Sequence, residues 1–230
     1  MASNLVQQIS TQLKTTKSLN PSHAWLTTFL TTQKPTTPLP ALTSTALFRL
    51  LASNITETLD HTSNTCFPPD LSNVSIKERR LPGPIVVQVL TVDDMSKSRW
   101  EQIEAIEALE RGEGTKGREI IRVVPTEDED GSNTGVQKGG GPHKLLLQDA
   151  QGSRIYGIEL KHIEGVGLGM NIGCKLVLRG ALVARGVILL EPDTTSLLGG
   201  KIETLHKAWK ENRKADLKAA IEANEGSASR

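Results

Sequence analysis

Leu81-Pro-Gly-Pro-Ile-Val-Val-Gln-Val-Leu-Thr-Val-Asp-Asp94 is the stretch on which the fold of this chain turns. From Ile85 to Val92 it is too β-branched to make a good helix, and Pro82-Gly83-Pro84 leads into it as a turn does, so it predicts a buried strand. The next apolar run that reads as a strand, 144–148, follows only after a long charged interval. That interval, 96–142, is an insert between the first two strands.

Working outward, a third strand is expected over 154–161, joined to the second by Asp149-Ala-Gln-Gly152, which has hairpin-turn chemistry. The fourth, 174–184, alternates: Cys174, Leu176, Leu178 and Leu182 fall on one face, Lys175, Arg179 and Arg185 on the other. This predicts a half-buried strand with its basic face in solvent. Arg185-Gly186 turns the chain into a fifth strand, 187–190, where Leu189 is expected in the core with Leu176, and Pro192 stops it. Five strands with a long fourth predict a Greek-key barrel of the oligonucleotide/oligosaccharide-binding (OB) kind. A Gly-rich loop, 162–173, stands where that fold often places a helix.

Upstream, helical spacing links Leu5, Ile9 and Leu13, then Trp25 with Phe29 and Leu26 with Leu30, then Leu47, Leu50, Leu51 and Ile55. Asn20-Pro21 reads as a cap followed by a first-position proline, and the prolines of 35–40 break the chain before the third helix. No one of these helices buries its stripe alone, which predicts a three-helix bundle. Ser, Asn, Pro and charge over 63–80 read as a linker with a basic end, Lys77-Glu-Arg-Arg80. After Gly199-Gly200 a helical pattern resumes with Ile202, Leu205 and Trp209 and weakens through Leu217 and Ile221. The expected fold class is α+β: helical bundle 1–62, linker 63–80, five-stranded OB-fold barrel 81–200 with its insert 96–142, and a C-terminal helix 201–225.

With 230 residues, 37% apolar and 23% charged, the chain has globular composition and room for one ordinary domain and a smaller helical unit. A net charge of +1 gives no strong overall grip on nucleic acid. Any DNA contact then rests on local patches, with Arg185, Lys207, Lys210 and Arg213 as candidates. Cys66 and Cys174, far apart and without metal-ligand neighbours, read as reduced thiols of a cytosolic or nuclear protein. No stretch approaches the ~20 apolar residues of a membrane span, and the first residues are too polar for a signal peptide, so no membrane partner is expected.

Catalytic motifs are not found. Gly165-Val-Gly-Leu-Gly169 places its third glycine one position early for a dinucleotide fingerprint, and Gly112-Glu-Gly-Thr-Lys-Gly117 lacks the Gly-Lys-Ser/Thr ending of a phosphate loop. His23, His61, His143, His162 and His206 are scattered without partners at ligand spacing. Glu127-Asp-Glu-Asp130 lies among Gly and Ser and reads as a solvated segment. The expectation is a protein that is not an enzyme, with no cofactor, metal or small-molecule substrate.

Aromatic residues are 3% of the chain, and the five strands hold only Tyr156. Base stacking yields about 1 to 3 kcal/mol per base and needs several such rings, so a protein partner is the better expectation. The insert offers a surface for it: a helix is expected over 98–111, with Trp100, Ile103, Ile106 and Leu109 every third residue beside Glu101, Glu104, Glu107 and Glu110. Such a stripe either folds back on its own barrel or is reserved for another chain. Ile120-Ile-Arg-Val-Val124 reads as a short strand, and 125–142 as mobile. Lys175 and Arg179 on the fourth strand complete the candidate partner-binding set.

On these residues the chain resembles the RecQ-mediated genome instability protein one family. The likeness lies in Leu81 through Asp94, in Lys144-Leu-Leu-Leu-Gln-Asp149, in Gly173-Cys-Lys-Leu-Val-Leu-Arg-Gly180 and in Gly186-Val-Ile-Leu-Leu-Glu-Pro-Asp193. Leu197-Leu-Gly-Gly200, where a barrel strand runs into a helix, is the most distinctive point. The resemblance implies a nuclear, non-catalytic subunit of a complex between a type IA topoisomerase III and a RecQ-family helicase that dissolves double Holliday junctions in recombination repair. It further implies that the barrel binds the topoisomerase and that the insert reaches its gate and modulates strand passage and decatenation. DNA is then met mainly through the complex. The insert is longer than the family pattern, and the short chain is similar to the fungal-type form, for which no further small partner is expected. A direct single-stranded or junction DNA-binding module, using Lys175, Arg179, Arg185 and the basic final helix, is the competing reading.

Overall fold

The computed structural model describes residues 2–62, 65–116, 119–122 and 141–228. The chain opens with four helices, α1 (Ala2–Lys17), α2 (His23–Thr31), α3 (Leu39–Ala52) and the single turn α4 (Ile55–Thr58). The expected stripes face one another, burying Ile9 and Leu13 of α1, Leu26 and Phe29 of α2, and Leu42, Ala46 and Leu50 of α3 in one core. The start of α2 differs from expectation. Ser22 is its cap, accepting from the Trp25 N–H at 3.2 Å, while Pro21 bridges to Leu59. A hydroxyl placed three residues before a free amide is the better acceptor. Asn54 caps α4, its Oδ1 accepting from the Thr56 N–H at 3.2 Å, and begins the fourth helix that helical spacing alone did not separate from the third.

Among the described residues eight strands, not five, form the main sheet: β1 (Glu78–Arg80), β2 (Ile85–Asp94), β5 (His143–Gln148), β6 (Arg154–Glu159), β7 (Lys175–Leu178), β8 (Leu182–Ala184), β9 (Val187–Leu190) and β10 (Thr195–Gly199). Between β2 and β5 lie the helix α5 (Arg99–Glu110) and a two-stranded hairpin, β3 (Glu113–Lys116) with β4 (Glu119–Arg122). The chain continues into α6 (Glu203–Ala228). The sheet order is β1-β8-β9-β6-β5-β2-β7-β10, antiparallel except for β6 with β9. β7 and β8 are separated by only Arg179, Gly180 and Ala181, yet they stand near opposite ends of that order, so the sheet curls round on itself. The long fourth strand expected over 174–184 is therefore two strands with a corner at Gly180, whose φ of +64° suits glycine. A register shift between Val89 and Thr91 bends β2, which pairs with β7 along its first half and β5 along its second.

Two further expectations change. The segment expected as a linker, 63–80, buries Cys66, Phe67 and Leu71 and ends as strand β1 on β8. Phe67 and Leu71 anchor it, and the buried Asp149 carboxylate accepts from the Phe67 N–H at 2.7 Å. In β9 the inward residues are Ile188 and Leu190, with Leu189 only half-buried. The turn at Arg185-Gly186, both at positive φ, sets that phase one residue from the one expected.

β2 is apolar on both faces because both are covered. Val87 and Val89 point into the core of the curled sheet, whereas Val86 lies in the core of the helices, together with Val177 of β7 and Ala150. The helical layer thus sits on the outer face of β2 and β7. The Gly-rich segment 162–173 is a loop, as expected, and buries Ile163, Val166, Met170 and Ile172 against the sheet's interior. The thiols of Cys66 and Cys174 are free and buried, and burial pushes Cys174 up to about 11, which makes it an inert core group.

Candidate partner-binding surface

The insert leaves the sheet through a pinned neck. Met95 N–H donates to the Pro142 carbonyl at 2.9 Å, and Gly141 N–H donates to Ser96 Oγ at 3.2 Å. Ser96 is held in turn by Asp94 Oδ1, which accepts from its N–H and its hydroxyl. α5 then starts at a capping box, with Ser98 Oγ accepting from Glu101 N–H and the Glu101 carboxylate accepting from Ser98 N–H. β3 and β4 follow, the latter overlapping at 120–122 the run expected as a short strand, while 123–124 and most of 125–142 lie outside the described residues.

The four apolar residues of α5 do not form one stripe. At about 100° per residue, positions three apart drift backwards around a helix, and nine residues put Trp100 and Leu109 half a turn apart. Ile103 is buried, Ile106 half-buried, and Trp100 and Leu109 are 59% and 63% exposed. The helix is docked on its own chain by polar residues. Gln102 donates to the carbonyl of Asp94 at 2.9 Å and accepts from Arg213 Nη2 at 3.1 Å, Lys214 of α6 meets Glu107 at 3.1 Å and Glu110 at 2.8 Å, and Lys218 meets Glu107 at 3.6 Å. The Lys214 hydrogen bond holds the Glu107 carboxyl below the usual carboxylate range, and Glu110 and Glu107 raise the Lys214 ammonium.

A groove of about 620 Å³ runs between α5, α6 and the outer face of β2, β5 and β6. Tyr156, with Lys144 Nζ 5.1 Å from its ring centre, lies on the sheet side, and Trp209, with the Arg213 guanidinium 4.7 Å away, lies on the helix side. Asp93, bound to Lys144 at 3.3 Å, and Met95 stand between them.

The other candidate residues separate. Arg179 is exposed and bridges the sheet to the helices, donating to Ser18 Oγ at 2.8 Å and Ser196 Oγ at 3.3 Å. Arg185 is exposed and donates to the Val74 carbonyl, while Lys207 and Lys210 are exposed on α6. Arg213 is not free for phosphate: it packs on Trp209 and Gln102, and burial lowers its pKa against the pull of Asp93 and Asp94.

Lys175 overturns its expectation. Alternation assigns it correctly to the outer face of β7, but that face is roofed by α3, and its side chain is 0% exposed. Its ammonium donates to the carbonyls of Leu51 at 2.8 Å and Gly173 at 2.7 Å. Leu51 is in the last turn of α3, whose carbonyls lack helical partners and sit at the negative end of the helix dipole, so Lys175 caps that helix. Burial pushes its pKa down to about 8. Gly200 abuts the same carbonyl: at φ +96°, a Cβ there would stand 2.4 Å from Leu51 O. Beside it Gln88 is completed by Asn54 Oδ1, Gln148 Oε1 and the Ile55 N–H. This polar joint between the layers escaped sequence reading, although Gln88 inside Ile85-Val-Val-Gln-Val was its signal.

Among the described residues no group of three or more His, Cys, Asp or Glu is placed to hold a metal ion, and no helix is long and apolar enough to cross a membrane. What the geometry builds is a helical layer on a curled sheet, with an insert pinned at its neck and docked through α5 on α6. That combination is the architecture of an OB-fold protein.

Comparison with known proteins agrees. Residues 61–213 match the family described as RMI1, N-terminal OB-fold domain, and residues 13–58 match RMI1, N-terminal helical domain. The chain belongs to the RMI1 family. It is 35% identical over 143 residues to RecQ-mediated genome instability protein 1 of Schizosaccharomyces pombe, covering 56% of this chain and 61% of that protein. It is 32% identical over 82 residues to the protein of the same name from Xenopus laevis, covering 35% of this chain and 15% of that one.

Proposed function

We propose that this chain is a nuclear, non-catalytic subunit of a complex between a type IA topoisomerase III and a RecQ-family helicase, acting in genome stability. In this reading the OB-fold sheet docks on the topoisomerase, and the insert modulates DNA strand passage and decatenation during double Holliday junction dissolution and recombination repair. The observation that carries it is the insert: its neck is pinned by Ser96, Gly141 and Pro142, and α5 is fixed on α6 with Trp100 and Leu109 turned to solvent. Exposed apolar side chains on a helix held in place suit a protein partner. Such an arm acts by binding one gate state better than the other, since only a differential affinity shifts a two-state equilibrium. Direct binding of single-stranded or junction DNA is less favoured. Tyr156 is a lone ring among the strands, and Arg213, Lys214 and Lys218 are engaged within the chain.

The test is co-elution of the purified chain with topoisomerase III in size-exclusion chromatography at rising salt. A complex that survives salt supports an apolar protein interface, whereas one that needs DNA and falls steeply with salt supports phosphate contacts. Absence of any complex overturns the proposal.

A further inference from the structure

Seven aromatic residues occur in Trp, Tyr and Phe together, and three of them gather on the helical layer, away from the insert and the groove beneath it. Trp25 and Phe29 stack along α2 with ring centres 5.5 Å apart, and Arg49 of α3 lies 5.3 Å from the Phe29 ring. Phe48, next to Arg49, is 74% exposed. Together with Thr28, Thr32 and Ser53 these side chains line a surface pocket of about 250 Å³, room for a bulky apolar side chain. A phenylalanine so exposed beside a stacked pair contributes nothing to the core, which is already closed by Leu26, Leu42, Ala46 and Leu50.

The only charged side chain lining this pocket is a cation, that of Arg49. Residues 1–56 carry Lys14, Lys17, Lys34 and Arg49 and no Asp or Glu, so the first carboxylate side chain of the chain is Glu57. Arg49 is exposed, is held in place by donating to Thr32 Oγ1 at 3.1 Å, and has no carboxylate in the pocket. Lys34 is exposed in the turn that follows α2.

We propose that the Trp25–Phe29–Phe48 pocket is a docking site for an acidic peptide segment of a partner protein, which inserts a bulky apolar side chain beside Phe48 and sets its carboxylates against Arg49 and Lys34. The apolar pocket supplies affinity, and the Arg49 guanidinium, with no carboxylate among the side chains that line the pocket, disfavours basic segments. The site lies on a different layer from the insert and does not depend on the topoisomerase reading.

The experiment selects a random-peptide display library on the full chain, with Phe48→Ser and Arg49→Glu as comparison proteins. Both substitutions are at exposed positions and leave the helical core intact, and the melting temperature of each verifies this. The expected result is enrichment of sequences rich in Asp and Glu around a Trp, Phe or Leu. A synthetic peptide of the enriched sequence then loses about tenfold or more in affinity on Phe48→Ser, as removal of an interface anchor does, and loses affinity on Arg49→Glu. Enriched peptides that are neutral or basic, or no enrichment that Phe48→Ser removes, overturn the proposal. Two further arms assign other occupants and equally overturn it: a self-association seen by sedimentation that Phe48→Ser abolishes, or binding of a thymidine oligonucleotide that Phe48→Ser and Arg49→Glu abolish.

Discussion

The Lys175 ammonium donates to the Leu51 carbonyl at 2.8 Å, joining the outer face of β7 to the C-terminal turn of α3. Among the described residues no carboxylate accompanies it; its second acceptor is another carbonyl, that of Gly173. Lys175→Ala leaves the buried Gly173 carbonyl and the partly buried Leu51 carbonyl without this donor and removes a buried aliphatic stem. Unsatisfied buried groups cost about 1 to 3 kcal/mol each, so a loss of at least about 2 kcal/mol is expected in urea unfolding. An unchanged midpoint would show that the ammonium does not hold the layers together.

The same residue makes stability depend on alkaline pH. Unfolded, a lysine keeps its proton to about pH 10.4; folded, burial brings Lys175 down to about 8. Between these values the unfolded chain binds more protons, so stability rises with pH across that window instead of falling. Lys175→Met keeps the stem without the proton and is expected to lack the rise. The measurement is the difference in unfolding free energy between the two proteins from pH 7 to 10.5. A flat difference would mean the ammonium is charged in the folded state throughout.

Core truncation separates two leucines that the strand pattern treats alike. Leu176 is fully buried, so Leu176→Ala is expected to cost about 2 to 5 kcal/mol. Leu189 is half-buried, and Leu189→Ala is expected to cost clearly less. Equal losses in chemical denaturation would show that β9 has the opposite phase.

That contrast marks how far the sequence reaches. β2, β5, β6, the loop 162–173 and the helix in the insert were legible, because alternation, turn chemistry and helical spacing are local. The corner at Gly180, the strand status of Glu78–Arg80 and the phase of β9 depend on how the sheet curls, which no local period encodes. Lys175 shows the same limit: its face was readable, but the α3 roof above that face is a long-range contact. On α5, apolar residues three apart look like a stripe in text and spiral in three dimensions, which is why Trp100 and Leu109 part from Ile103.

The seam between α5 and α6 carries ion pairs beside its buried residues, so it should respond to charge and acid. Lys214→Glu replaces two attractive contacts, to Glu107 and Glu110, with repulsion. Amide exchange in α5 is expected to speed up while exchange in β2 and β7 stays slow. In the parent protein Glu107 sits below the usual carboxylate range, so its contribution is full above the unfolded carboxylate pKa and is lost as pH falls through the folded value. A fall in α5 protection on acidification, measured against the intrinsic exchange rate at each pH and shared by neither β2 nor β7, is the expected signature. Equal protection of α5 in Lys214→Glu would assign the docking to Ile103 and Gln102 alone.

The insert carries the sharpest test of the proposed function, and the structure decides where to cut. Removing all of 96–142 would strip α5 from α6 and expose Leu217, which is buried. Excising 112–140 and joining Arg111 to Gly141 through a short Gly-Ser linker keeps α5 on Lys214 and keeps the Gly141 contact to Ser96 Oγ. Closure entropy changes only slowly with loop length, so the sheet should retain its stability within about 1 kcal/mol. If the sheet docks on the topoisomerase and the insert acts at its gate, the shortened protein still binds, at reduced strength. Its maximal stimulation of catenane unlinking then falls well below that of the intact chain even at saturation. An affinity element alone would behave differently, because raising the concentration would restore the full rate. Equal plateaus for intact and shortened protein, with the topoisomerase held constant, would therefore remove the gate-modulating role and leave the insert as a contact surface only.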